Sequence, residues 1–172
     1  MILPIQKYPD PILRKKCEEV KEVSEEIKKL AEDMMETATA NQGVGLAASQ
    51  VGELKRIIVV CPIQECSPKE VVVKRPQVFI NPQIIKKSSE VLIDEEGCLS
   101  FPGLFLKIRR AKEVEVEALN EKGEKIYFKA ESLLAGIFQH EIDHLNGILF
   151  IDKIGCWQKL KIRQKLKSYG TN

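Results

Sequence analysis

Apolar residues recur at helical spacing in two long stretches of the chain. In the first, Ile27, Leu30, Ala31, Met34 and Ala38 fall on one face of "SEEIKKLAEDMMETATA". Ser24 is placed to cap this helix, Glu25 and Glu26 suit its positive end, and "NQGVG" ends it. The second long helix starts near Ser132 and carries "LLAGIFQHEIDHLNG". A short helix is expected in "YPDPILRKKC", with Asp10 as cap and Pro11 in its first position, and a basic amphipathic helix at 156–168. Between the long helices the pattern turns to strands. "RIIVV" (56–60) and "VVVKRPQVFI" (71–80) are rich in β-branched residues. "EVEVEAL" (113–119) alternates cleanly and, across the turn "NEKGE", predicts an antiparallel hairpin with "KIYFKA" (125–130). The stretch "PIQECSPKE" (62–70) reads as a polar loop. No repeat or linker divides the chain. The element order predicts one α+β domain spanning 1–172, with helices packed against mostly antiparallel sheet.

Composition narrows the function classes. Hydrophobic residues at 44% and charged residues at 30% describe a soluble globular chain, and a net charge of +2 is too small to make DNA or RNA its main partner. "MILPIQKYPDP" lacks the basic start and apolar run of a targeting segment. The longest apolar stretch, "IIVVCPI", is far short of a membrane span, so a cytoplasmic location is expected. The five cysteines (17, 61, 66, 98 and 156) are odd in number and lack framework spacing, which leaves at least one free thiol.

The chain's only two histidines lie in "QHEIDH". On a helix, residues four apart share a face, so His140 and His144 can grip one cation. Glu141 beside them can exchange a proton with a water on that cation, the logic of the H-E-x-x-H hydrolases. A catalytic metal usually has three protein ligands and one open position. No Glu or His follows His144 to complete a thermolysin-like set, and Phe150 stands where a metzincin needs its last histidine. Asp152, Cys156 and the upstream cysteines remain candidates. Cys98 in "EEGCLSFPG" is the best placed, because it follows a glycine in a stretch typical of a tight loop. Cys61 and Cys66 are spaced too loosely for a zinc clip and read as structural or incidental. "GVGLAASQVG" (43–52) matches a dinucleotide fingerprint in letters only. It follows a helix and precedes a strand, the reverse of what that fingerprint needs. What it offers is a small-residue loop that lets backbone approach a ligand, with one polar side chain, Gln50.

Taken in order, "GVGLAASQ", "EGCLS" and "QHEIDH" resemble the three motifs of the peptide deformylases, G-x-G-x-A-A-x-Q, E-G-C-x-S and Q-H-E-x-D-H, without a mismatch. "PDPILRKKCEEV" and "HLNGILFIDKI" are similar to the family's flanking segments, so the resemblance covers nearly the whole chain. It implies antiparallel sheets around a central metal-binding helix. It also implies removal of the formyl group from the N-terminal methionine of new polypeptides, releasing formate, as metal-activated water attacks the formyl carbon. By resemblance Cys98, His140 and His144 are the metal ligands, and Glu141 is the general base and acid. Gln50 and the Leu99 N–H hold the reacting oxygen, and Gly45 is a backbone contact to substrate. Gln139, Asp143 and Glu96, the last paired with Arg110, support the ligands. One divalent metal is implied, Fe(II) foremost, with Zn(II), Ni(II) or Co(II) as substitutes. Leu133 and Ile137 share the helix face of His140, so they should wall a pocket for the methionine side chain. Gly136 leaves room there, and Val44 can close the other side.

Two departures from the family pattern stand out. The segment 61–77 is longer than usual, and Phe105 stands near where many relatives carry arginine. Rival readings are a peptidase, or a structural zinc site closed by Cys98, Cys156, His140 and His144. The basic stretch "KLKIRQKLK" (159–167) reads as a solvated helix face, or, as the resemblance implies, a contact with ribosomal RNA. A monomer is expected.

Overall fold

The computed structural model of the protein describes residues 1–61, 63–67, 70–73 and 75–170, with 63–67 and 70–73 described by their backbone. After a 3-10 turn at Pro11–Arg14 come α1 (Glu25–Ala40), β1 (Gly45–Ala47), β2 (Ile57–Val60), β3 (Ile63–Ser67), β4 (Glu70–Val73), β5 (Gln77–Lys87), β6 (Val91–Gly97), β7 (Phe105–Ala111), β8 (Glu113–Leu119) and β9 (Lys125–Glu131). The chain then forms α2 (Ser132–Leu145) and α3 (Cys156–Ser168). A five-stranded sheet runs β1-β2-β5-β8-β9, and β3-β4 and β6-β7 form two-stranded sheets. All these pairs are antiparallel. The fold is α+β, as the sequence implies.

The sequence pattern explains the layers. In β2, Ile57 and Val59 face the cluster built on Met34 and Ala38 of α1, while Ile58 and Val60 face Ala135, Phe138 and Ile142 of α2. A strand covered on both faces reads as a continuous apolar run, which "IIVV" is. β8 buries Val114, Val116 and Ala118, as its alternation predicts. A third cluster gathers Leu13, Phe101, Phe150 and Ile154 beneath α3.

Three expectations need correction. Residues 62–70 do not form a plain loop, because Ile63–Ser67 pairs with Glu70–Val73 as a hairpin. The β-branched partner supplies the ladder, and polar composition does not oppose a strand. The strand expected at 71–80 divides in two. Pro76, which has no N–H to give, separates β4 from β5, and β5 runs on to Lys87 through a register shift between Ile80 and Gln83. The N-terminal helix shrinks to a single 3-10 turn, with Asp10 accepting from the Ile12 N–H at 2.8 Å. The placement of Cys66 and most of the long 61–77 segment lies outside the described side chains.

Helix α2 is stopped sharply. Gly147 takes φ 70°, and a Cβ there would stand 2.3 Å from the Arg14 carbonyl oxygen. Glycine is required on both counts. This stop fixes the end of the helix that carries His144.

Candidate active site

The three metal-ligating side chains arrive from two elements, α2 and the end of β6. His140 and His144 stand one turn apart on α2, with ring centroids 4.9 Å apart. Cys98 follows the last residue of β6. The three ligand atoms lie within 4.8 Å of one another, and Cys98 Sγ is 3.3 Å from His144 Nε2. Two imidazoles and a thiolate in a pyramid of this size fit a divalent transition metal. His140 turns its Nδ1 to Glu96 Oε2 at 2.9 Å, which leaves Nε2 for the cation.

Glu96 is itself held. Arg110 donates to both of its oxygens, at 2.7 and 2.9 Å, and also to Asp143 Oδ2. Burial alone would raise Glu96, but hydrogen bonds from Arg110 and His140 bring it down to about 2, so it is ionised. Gln139 locks the rotation of α2. Its amide donates to Ala135 O and Ala111 O, both at 2.9 Å, and its oxygen accepts from the Ala111 N–H at 3.1 Å.

Burial opposes charge on both histidines. It drives His144 well below its ordinary value, the neutral form a ligand needs. At His140 the Cys98 sulfur and Glu96 overcome burial and hold the imidazole well above its ordinary value. A cation entering there displaces a proton.

Glu141 is buried, and burial pushes it up to about 7 against the pull of His140. Its Oε2 and His144 Nδ1 are the two buried side-chain polar atoms without a partner among the described residues. A Cβ on Gly45 would stand 2.3 Å from Glu141 Oε1, so the small-residue loop allows β1 to run directly beside this carboxyl. Gln50 accepts from the Ala47 N–H at 2.9 Å and donates to Ser100 Oγ at 3.2 Å, with its Nε2 3.5 Å from Cys98 Sγ. Among the described residues the Leu99 N–H has no acceptor, while the Leu99 carbonyl accepts from Lys7 Nζ at 2.7 Å.

Lys7, Gln50, Glu96, Cys98, Leu99, His140 and Glu141 border one cavity of about 480 Å³, which Val44, Gly45, Leu133, Gly136 and Ile137 also line. A Cβ on Gly136 would meet nothing within 4 Å, so the space beside it is open. The rival ligands lie elsewhere. Cys156 is exposed at the start of α3, and Asp152 is engaged by Arg14 and by the Leu149 N–H. Cys61 is buried, with its Sγ 3.4 Å from Gly43 O. Sequence reasoning missed Ser100 and Lys7. Ser100 could have been found as the serine of the E-G-C-x-S motif, whereas nothing in the sequence marks Lys7. Phe105 is 62% exposed at the cavity's edge, its ring covering Gly97.

A model of the polypeptide deformylase family matches residues 2–159. A peptide deformylase of Thermodesulfovibrio yellowstonii is 46% identical over 170 residues, covering 97% of this chain and 98% of the relative. The crystal structure of a peptide deformylase from Ehrlichia chaffeensis superposes with a TM-score of 0.89 at 40% identity, covering 98% of this chain and 96% of that one. A Met-Ala-Ser-bound peptide deformylase from Acinetobacter baumannii superposes with a TM-score of 0.82 at 36% identity, covering 90% and 99%.

Proposed function

This chain belongs to the polypeptide deformylase family and is a metallohydrolase with peptide deformylase activity, and from that premise we propose how its residues divide the work. The observation that carries the reading is the buried, unpartnered Glu141 Oε2 beside three ligand atoms within 4.8 Å. The substrate is an N-formylmethionyl nascent peptide, the chemistry of the Met-Ala-Ser seen in the Acinetobacter relative. Cys98, His140 and His144 would hold the cation, which would supply Lewis-acid polarisation and an activated water for hydrolysis.

Glu141 accepts a proton from the attacking water and passes it to the leaving nitrogen. Negative charge grows on the formyl oxygen, where the Gln50 amide and the Leu99 N–H donate. One such donor is typically worth about 3–4 kcal/mol. β1 is an edge strand, so the peptide lies along Val44 and Gly45 as an added strand. Its methionine side chain enters the space between Leu133, Gly136 and Ile137. Gln139, Asp143, Glu96 and Arg110 keep the ligands in place.

The thiolate and imidazole set suits Fe(II), Zn(II), Ni(II) or Co(II), and the family resemblance favours Fe(II) among them. Residues 1–172 act as one catalytic domain, as a monomer in the cytoplasm, where such peptides are made. No helix among the described residues is long and apolar enough to cross a membrane. On α3 the side chains of Lys159, Lys161, Arg163, Lys165 and Lys167 are exposed, while Ile162 and Leu166 pack inward. These cations, spread around the exposed side of α3, contact ribosomal RNA near the emerging substrate. Lys161→Glu with Lys167→Glu should abolish co-sedimentation with ribosomes and spare turnover of a short peptide, and unchanged co-sedimentation would remove the idea.

The central experiment measures formate released from a formyl-Met-Ala-Ser peptide by protein loaded anaerobically with Fe(II). Rapid release is expected, and Glu141→Ala should retain metal yet lose turnover. Comparable turnover by that variant would refute the role given to Glu141.

A further inference from the structure

A second cavity, of about 600 Å³, lies on the other side of α2. On that helix Gln139, Ile142, Asp143 and Asn146 share a face turned away from the metal ligands, and they form one wall. The ends of β5 and β7 form the rest, together with Arg56, Ser88, Val91 and Lys153. Five cationic side chains line this space, Arg56, Lys87, Arg109, Arg110 and Lys153, against one carboxylate, Asp143. That carboxylate is already engaged, by Arg110 and by Lys153 Nζ at 3.1 Å.

Two of these arginines make an informative pair. Arg56 and Arg110 are each only 8% exposed. Arg110 is held by two carboxylates, Glu96 and Asp143. Arg56 has only neutral partners, donating to Asn146 Oδ1 at 3.0 Å and to Pro82 O at 3.1 Å, and it forms no ion pair among the described residues. A guanidinium carries five N–H donors, and these two acceptors leave others over. Arg56 Nε has no partner among the described residues and is not fully buried, so it faces the water of the cavity. The bland alternative is that Arg56 only ties the end of α2 to β5. That accounts for the two bonds but not for a mostly buried cation left without a counter-charge, which proteins rarely keep. Nor does it account for Lys87 and Arg109, exposed on the same rim and also without ion pairs among the described residues.

We propose that this cavity is a binding site for a phosphate group, with Arg56 as its buried anchor and Lys87 and Arg109 as its rim. A planar guanidinium matches phosphate oxygens in pairs, and two further cations suit a dianion. A phosphate carried by a small molecule and one in a nucleic-acid backbone share this chemistry.

The test is calorimetric titration of the metal-loaded protein with ribose 5-phosphate, with ribose, and with a five-nucleotide RNA. Saturable binding of ribose 5-phosphate but not ribose is expected. Lys87→Gln with Arg109→Gln should weaken it at least tenfold while leaving deformylation of a short peptide within twofold. Arg56→Met should also lose binding, and the rim variant, altering only exposed residues, keeps the test decisive if Arg56→Met misfolds. Binding of the RNA alone, with the same loss in the rim variant, would support the site and identify a backbone phosphate as its source. No saturable binding of either phosphate, or binding that the rim variant leaves unchanged, would overturn the proposal.

Discussion

Two glycines shape the catalytic cavity in opposite ways. At Gly45 there is no space, since a methyl group would press on Glu141 Oε1 from 2.3 Å. Glu141 is buried and cannot swing into solvent, so the added methyl must move its carboxyl. Gly45→Ala is therefore expected to lower kcat about 100-fold, the scale of a displacement near 1 Å. Elemental analysis should find its metal content unchanged, because no ligand touches that methyl, and an unaltered kcat would mean that Glu141 is not held by β1. At Gly136 there is too much space, with nothing within 4 Å of a Cβ. Leucine is a good helix former, so Gly136→Leu should leave the melting temperature no lower. It should instead fill the methionine pocket. Losing the burial of one such side chain is worth about 1.5–3 kcal/mol. The KM for a formyl-Met peptide should therefore rise about tenfold or more, and steady-state kinetics showing an unchanged KM would locate the methionine elsewhere.

Among the elements, the segments flanking α2 do the holding. Arg14, at the end of the N-terminal 3-10 turn, bonds to Asp152 beyond α2, and Asp152 also accepts from the Leu149 N–H at 2.9 Å. Burial would raise Asp152, but Arg14 and the Leu149 N–H hold it below its ordinary 3.8. A carboxyl lowered by folding adds stability that is complete above its unfolded value and lost as pH falls through its folded one. The Asp152 side chain is 32% exposed, so the contribution is up to about 1 kcal/mol. Urea titrations of Asp152→Asn should show that deficit at about pH 7 and a narrower one at about pH 3. An equal deficit at both would mean that charge is not its source. Helices α1 and α2 and the β8-β9 hairpin were legible because their apolar periodicity is undisturbed. The β6-β7 pair was not. β6 is almost wholly exposed, so no apolar face marks it, and β7 buries Arg110 where alternation calls for a hydrophobe. That burial makes sense only with Glu96 and Asp143 in place. In the site, the histidine pair and Glu141 followed from spacing on one helix. Assigning Cys98 and Gln50, from other elements, took the three-motif resemblance.

For the whole molecule the metal site is a junction. His140 and His144 belong to the helix that packs against one face of the five-stranded sheet. Gln50 follows β1, whose Leu46 packs with α1 on the other face while its Ala47 joins the α2 side, and Cys98 packs at the margin of the third cluster, around Phe101 and Phe150. A cation held by Cys98, His140 and His144 therefore adds a direct link between parts already joined by packing and by the Glu96–His140 and Arg110–Asp143 contacts. A ligand that binds the folded state alone stabilises it by RT ln(1 + [L]/Kd), about 4 kcal/mol when free metal is 1,000 times Kd. For a domain of this size each kcal/mol moves the melting temperature by roughly 2–4 °C, so removal of the metal by a chelator should lower it by about 10 °C. Activity should vanish with the metal and return on reloading. Because the site joins the clusters, the chain should melt in one transition with or without metal. Scanning calorimetry checks both expectations. A melting temperature indifferent to the chelator would mean that these three side chains do not hold the ion. Two separated transitions would mean that α3 and the third cluster fold apart from the sheet, and that 1–172 is not one catalytic domain.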